Sequence, residues 1–175
     1  MTEPWLPAYP IRTDRLVLRP HRADDLDDLV RFHSDTEVTR YIPWPARDRA
    51  QTELALTTKL SQGAVRAEGG WLVLAIVRQS DDRVIGEVLL KREDDAARIG
   101  ELGYVIASDT QGSGFASEAA RAMLELGFGE LGLETVIAHV DARNAASIRL
   151  LEGLGFTRDS THDAAGVDGY SLGHA

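Results

Sequence analysis

The chain predicts one α+β domain, and three observations carry that reading. Its 175 residues are 43% apolar, a size at which folding withdraws roughly 70% of the unfolded chain's surface from water, enough for a core without staples. Three β-rich runs, 71–78, 84–91 and 98–107, follow one another across short polar turns. They lie too close in sequence for helical crossovers and so should form an antiparallel meander. Apolar residues recur at helical spacing both before and after that meander.

The elements follow in order. Residues 1–10 contain three prolines and read as an extended arm. The alternating run 15–19 is a short strand ended by Pro20. Asp24 and Asp25 then precede Leu26, Leu29, Val30 and His33 at helical spacing, with the acids where a helix dipole favours negative charge. Pro43 and Pro45 break the chain around Trp44. A second helix is expected over 47–66, with Ala50, Leu54, Thr57 and Leu60 along one side, stopping at Gly69 and Gly70. After the meander come a helix over 114–131, a strand over 134–140, a helix over 145–154, a strand beginning near Phe156 and a last short strand over 169–172. No repeat, low-complexity tract or linker divides the chain, so residues 1–175 should form a single domain.

Composition excludes several functions. There is no cysteine, hence no disulfide, thiolate zinc site or Cys nucleophile. The histidines (His21, His33, His139, His162 and His174) stand apart in sequence, with no metal-ligand spacing. Nineteen basic against 28 acidic residues give a net charge of −9, which argues against a nucleic-acid partner. No run approaches the roughly 18 apolar residues of a membrane span. The first residues lack a signal-peptide pattern, so a cytoplasmic protein is the expectation.

One segment has the makings of a ligand site. A strand through Tyr104, Val105 and Ile106 runs into Gln111, Gly112, Ser113 and Gly114, and Phe115 and Ala116 open a helix. Two glycines let the backbone turn tightly and leave room for a ligand. The first N–H groups of a helix have no partner within it, and its dipole favours an anion, so the turn suits a pyrophosphate. A flexible helix entry would look the same. The P-loop tripeptide Gly-Lys-Ser/Thr is absent, and Ser117 stands where the dinucleotide fingerprint wants Gly or Ala. Glu134 is suitably placed for a ribose-binding acid, but a meander precedes the motif where a nicotinamide-binding fold would begin with it.

Gln111-x-x-Gly114-x-Ala116 resembles the Q/R-x-x-G-x-G/A signature of the GNAT superfamily of acetyl-CoA-dependent N-acetyltransferases. Its context is similar to the RimJ/RimL-like branch: a first strand from Thr13 to Arg19, Glu101-Leu-Gly-Tyr before the signature, Ser117-Glu118-Ala119 after it, and Asn144, Ser147 and Leu154-Gly-Phe156 beyond. The likeness covers about residues 11–160. It implies a mixed, mostly antiparallel sheet with splayed middle strands and helices on both faces.

The resemblance also implies roles. Acetyl-CoA would be the cosubstrate, with no metal. Backbone groups of Tyr104, Val105 and Ile106 would meet pantetheine. Those from Gln111 through Gly112, Ser113, Gly114, Phe115 and Ala116 would hold the pyrophosphate, with a hydroxyl from Ser117. Asn144 would bond pantetheine, although asparagine is equally at home as a helix N-cap. Transfer needs a proton acceptor for the amine and a donor for the departing thiolate. Many relatives place a tyrosine seven residues after the asparagine; here that position is Leu151. Ser147 is the substitute the branch suggests. For the base, Glu101 leads, since alternation sets it on the face of Gly103 and Val105; Glu87 and His139 follow. Trp44 reads as a core anchor before a substrate platform, and Glu118 as support for the helix dipole. The acceptor would be a protein N-terminus or a small-molecule amine, and a homodimer is compatible with the family. Binding of acyl-CoA without transfer is the competing reading, prompted by Leu151.

Overall fold

The computed structural model describes residues 3–174. The meander forms as expected and is the middle of one eight-stranded sheet in the order β1-β2-β3-β4-β5-β6-β8-β7. Its strands are β1 (Ile11–Arg12), β2 (Leu16–Pro20), β3 (Trp71–Arg78), β4 (Arg83–Asp94), β5 (Ile99–Ile106), β6 (Thr135–Val140), β7 (Thr157–Arg158) and β8 (Asp168–Gly173). Every pairing is antiparallel except β5 with β6, which is parallel and spans only Ile99, Gly100 and Glu101 against Thr135, Val136 and Ile137. Beyond that point β5 continues along β4 and β6 along β8. The two middle strands therefore diverge.

Helices cover both faces: α1 (Leu26–His33), α2 (Thr36–Thr39) and α3 (Arg49–Lys59) precede the meander, α4 (Phe115–Glu125) follows it, and α5 (Ala145–Gly153) joins β6 to β7. The sheet's own alternation sorts the core. Leu72, Leu74, Ile76, Val88 and Leu90 pack against Ala119, Ala120 and Met123 of α4, while Ala75, Val77 and Val105 meet Leu29, Phe32 and Leu56 of α1 and α3. Each fully buried leucine or phenylalanine contributes about 1.5–3 kcal/mol.

Two expectations, both about the second helix, are corrected. The second helix begins under an Asp48–Gln51 capping box and ends at Lys59, short of residue 66, because Val65 leaves to form a bridge with Trp5. Its buried residues are Thr52, Leu56 and Lys59; Ala50, Leu54, Thr57 and Leu60 face solvent. The opposite side is drawn inward by the Lys59 ion pair with Glu87 at 2.7 Å. Of the N-terminal arm, Met1 and Thr2 lie outside the described residues, and Trp5, only 6% exposed, packs into the main core.

Candidate active site

Where β5 and β6 part, a cleft of about 1360 Å3 opens. Of the residues singled out in the sequence, Glu101, Tyr104, Val105, Ile106, Gln111, Gly112, Gly114, Phe115, Ala116, Ser117, Asn144 and Ser147 all line it. Ser113 does not; its carbonyl is turned to the other side of the turn, where it accepts from Arg15 Nη1 at 2.9 Å.

The turn owes its shape to two glycines with left-handed backbone, Gly112 at φ +76° and Gly114 at φ +80°. No heavy atom lies within 4 Å of where a Cβ on Gly112 would stand, so space is left over a run of backbone N–H groups that leads into α4. That is the arrangement an anionic diphosphate requires. Gln111 does more than lend its backbone, because Nε2 donates to the Ile106 carbonyl at 3.1 Å and ties the turn to the end of β5.

A second tie comes from the first strand. Glu118 Oε1 accepts from Thr13 Oγ1 at 2.5 Å and from the Arg15 N–H at 2.8 Å, and Oε2 accepts from Arg15 Nε at 2.7 Å. The Arg15 guanidinium lies 4.4 Å over the Phe115 ring. Burial alone would raise the Glu118 carboxyl, but its bonds to Thr13 and Arg15 outweigh that and hold it below its ordinary value. Glu118 is thus a clamp joining two motifs 103 residues apart, a task its position in the first helical turn did not disclose.

Glu101 stands at the end of the β5–β6 ladder, with Oε1 2.9 Å from His139 Nδ1 on β6. His139 Nε2 donates to the His162 carbonyl at 2.8 Å, which fixes the ring with Nδ1 toward the carboxylate. Lys91, opposite Glu101 in the ladder, places Nζ 3.9 Å away and is itself paired with Glu93. The carboxylate thus has a close partner in His139 and a looser one in Lys91, and it lines the cleft.

The other two groups considered as bases separate here. His139 lines the cleft beside Glu101. Glu87 does not; its side chain is 1% exposed and lies within 3.0 Å of His21, His33 and Lys59. Burial would push this carboxyl up, yet the Lys59 charge and the two imidazoles hold it well below its ordinary value. The candidacy of Glu87 as a base is thereby withdrawn, since a carboxylate so covered meets no substrate.

Asn144 caps α5, its Oδ1 accepting from the Ser147 N–H at 3.2 Å, and it lines the cleft as well. Leu151, one turn beyond Ser147, is buried at 1% exposure. What the sequence did not reveal is the partner of Ser147: the Tyr104 hydroxyl lies 2.7 Å from Ser147 Oγ. Ile42, Pro43 and Trp44 form the far wall, and Trp44 also packs against the core beneath α1 and α3.

Comparison with known proteins agrees with the fold. The Acetyltransferase (GNAT) domain family matches residues 15–157. The protein named "Uncharacterized N-acetyltransferase p20" of Bacillus licheniformis is 33% identical over 150 residues, 84% of this chain and 82% of its own length. A Bacillus subtilis relative, "Uncharacterized N-acetyltransferase YoaA", is 32% identical over 86% of this chain and 85% of its own. Among solved structures, a GNAT-family acetyltransferase from Bacillus anthracis superposes with a TM-score of 0.81 at 22% identity, over 94% of this chain and 98% of that one. A RimL ribosomal L7/L12 alpha-N-protein acetyltransferase in complex with coenzyme A gives 0.78 at 15% identity over the same shares, a likeness of fold alone. Among the described residues, no helix is long and apolar enough to cross a membrane, and no group of three or more His, Cys, Asp or Glu is placed to hold a metal ion.

Proposed function

The chain belongs to the GNAT acetyltransferases, and from that premise we propose that it moves an acetyl group from acetyl-CoA directly to a primary amine, either a peptide N-terminus or a small molecule. The observation that carries the reading is the parting of β5 and β6 after Glu101, at whose mouth lies the N–H-rich turn with its two left-handed glycines.

Acetyl-CoA supplies an activated thioester, and the chain's own groups do the rest. Backbone N–H groups of Gln111, Gly112, Gly114, Phe115 and Ala116 meet the diphosphate, helped by the Ser117 hydroxyl. The strand through Tyr104, Val105 and Ile106 takes the extended arm as it would take a further strand, and Asn144 bonds the arm from α5. Glu101, steadied by His139, accepts the proton of the incoming ammonium through a water. A backbone N–H steadies the oxyanion, and the Ser147 hydroxyl meets the departing thiolate.

Release of free thiol from acetyl-CoA over a panel of N-terminal peptides, polyamines and aminoglycosides tests this. Thiol release that depends on an amine is expected, and Ser147→Ala should lower turnover about tenfold or more while acetyl-CoA binding by calorimetry stays near native. Acetyl-CoA binding without release toward any amine would overturn the transfer reading. Absence of binding would overturn the assignment of the cleft.

A further inference from the structure

Tyr104 enters the reading above only as backbone, yet its side chain occupies a place of its own. It neighbours Glu101 on β5 but points to the opposite face, toward α4 and α5. There its hydroxyl lies 2.7 Å from Ser147 Oγ and 3.4 Å from the Ser147 carbonyl. Burial pushes the phenol up to about 12, against the smaller opposing effect of the Ser147 bond. The ring therefore keeps its proton throughout the range in which an enzyme works.

Two hydroxyls at this distance share one hydrogen bond, and its direction decides what Ser147 can do. A serine hydroxyl has one proton and two lone pairs. If Ser147 donated to Tyr104, its only proton would be spent, and the phenol would be left with a carbonyl at 3.4 Å, too long for a good bond. If Tyr104 donates to Oγ, both are satisfied and the Ser147 proton remains available to the cleft that Ser147 lines. The second arrangement makes the better use of both protons.

We propose that Tyr104 is a positioning residue for acetyl transfer: by donating to Ser147 Oγ it commits the Ser147 proton to the departing thiolate. The inference rests on Ser147 acting as the thiolate's partner. As the carbon–sulfur bond breaks, its electron pair stays on sulfur and Ser147 gives its proton there. In the same step Ser147 Oγ takes the proton that the nitrogen sheds on becoming an amide, so that no alkoxide forms. Tyr104 loses no proton in this sequence. In place of a general acid, the fold provides a fixed donor behind the serine. Without it, Ser147 can turn its proton back onto its own helix, as serines in helices do.

A double-mutant cycle tests the pair. Tyr104→Phe keeps the ring's packing and removes only the hydroxyl. In the native background it should lower kcat about five- to tenfold, leaving KM for acetyl-CoA and the melting temperature nearly unchanged. In the Ser147→Ala background the same change should lower kcat no further. An undiminished kcat in Tyr104→Phe alone would overturn the inference. An equal loss in both backgrounds would do so too, because it would mark a purely structural role. Near-native kcat in Ser147→Ala alone would instead remove the premise about Ser147, and the role of Tyr104 with it.

Discussion

Glu87 and Glu101 stand on neighbouring strands and on the same face of the sheet, since Glu87 lies opposite Val105 and Val105 shares its face with Glu101. Each touches histidine. Around Glu87, α1 and α3 close completely, and Lys59, His21 and His33 converge on one carboxylate, with Asp25 and Arg19 behind His21. Around Glu101 the cover is thinner: His139 holds Oε1, Lys91 Nζ stands 3.9 Å from Oε2, and the cleft opens beside the pair. Four residues of strand, roughly 13 Å, separate a carboxylate that can only hold the fold together from one that a substrate can reach. Residue type is the same in both places. Cover and number of partners make the difference.

That contrast breaks if the two positions respond alike to the same substitution. The largest effect belongs to Glu87→Gln, which leaves Lys59 and two imidazoles buried without their anion and should cost about 3–5 kcal/mol of stability. Chemical denaturation would read it directly, and a loss below about 1 kcal/mol would mean the cluster is not the anchor described here. Glu101→Gln should do the reverse, lowering kcat about 100-fold, equivalent to about 2.7 kcal/mol of barrier. The midpoint of unfolding and the affinity for acetyl-CoA should stay close to native. A rate near native would return the proton to His139 or to water alone.

The smallest effect, and the sharpest discriminator, is the pH dependence of stability. Burial would raise Glu87 and Asp25; Lys59 and the imidazoles outweigh it at Glu87, and Arg19 with His21 at Asp25, so both carboxyls are held below their ordinary value. Their contribution is present above the unfolded value near 4 and is lost as pH falls through the folded values. Burial would lower His21, but its contacts with Asp25 and Glu87 prevail and raise it. Its contribution is present below about 6.5 and is lost as pH rises through the raised folded value. Stability should therefore decline on both sides, and Glu87→Gln should flatten both declines in thermal scans from pH 3 to 9.

Much of the fold was legible because local rules and tertiary demands agreed. The close-set strands could only be a meander, and the glycines of the turn declared a backbone conformation whatever surrounded them. α3 was misread because two faces competed. Leu54 and Leu60 made the better apolar stripe, but the buried face carries Lys59, and only a carboxylate on another strand explains a lysine pointing inward. Glu87 failed as a candidate for the same reason: its cover comes from helices about 30–60 residues earlier in the chain. The motifs around Gln111 and Glu101 marked the cleft correctly, and its lining contains nearly every residue expected there. The side-chain partnerships inside it stayed invisible. Nothing in Tyr104 or Ser147 alone announces a hydroxyl pair 43 residues apart, and nothing in Thr13, Arg15 and Glu118 announces a clamp.

The short ladder between β5 and β6 has a consequence for how the molecule holds together. Backbone pairing makes strands β1 to β5 one bloc and β6 to β8 another, and the seam between them is three residues long. Helices α4 and α5 bridge the seam by packing, but along most of its length the backbone itself does not. A ligand lying in the gap and bonded to both strands would be a stitch as much as a substrate. The cooperativity with which the two blocs open and the grip on that ligand then become a single quantity, so a variant that loosens one will loosen the other, however far from the thioester it lies.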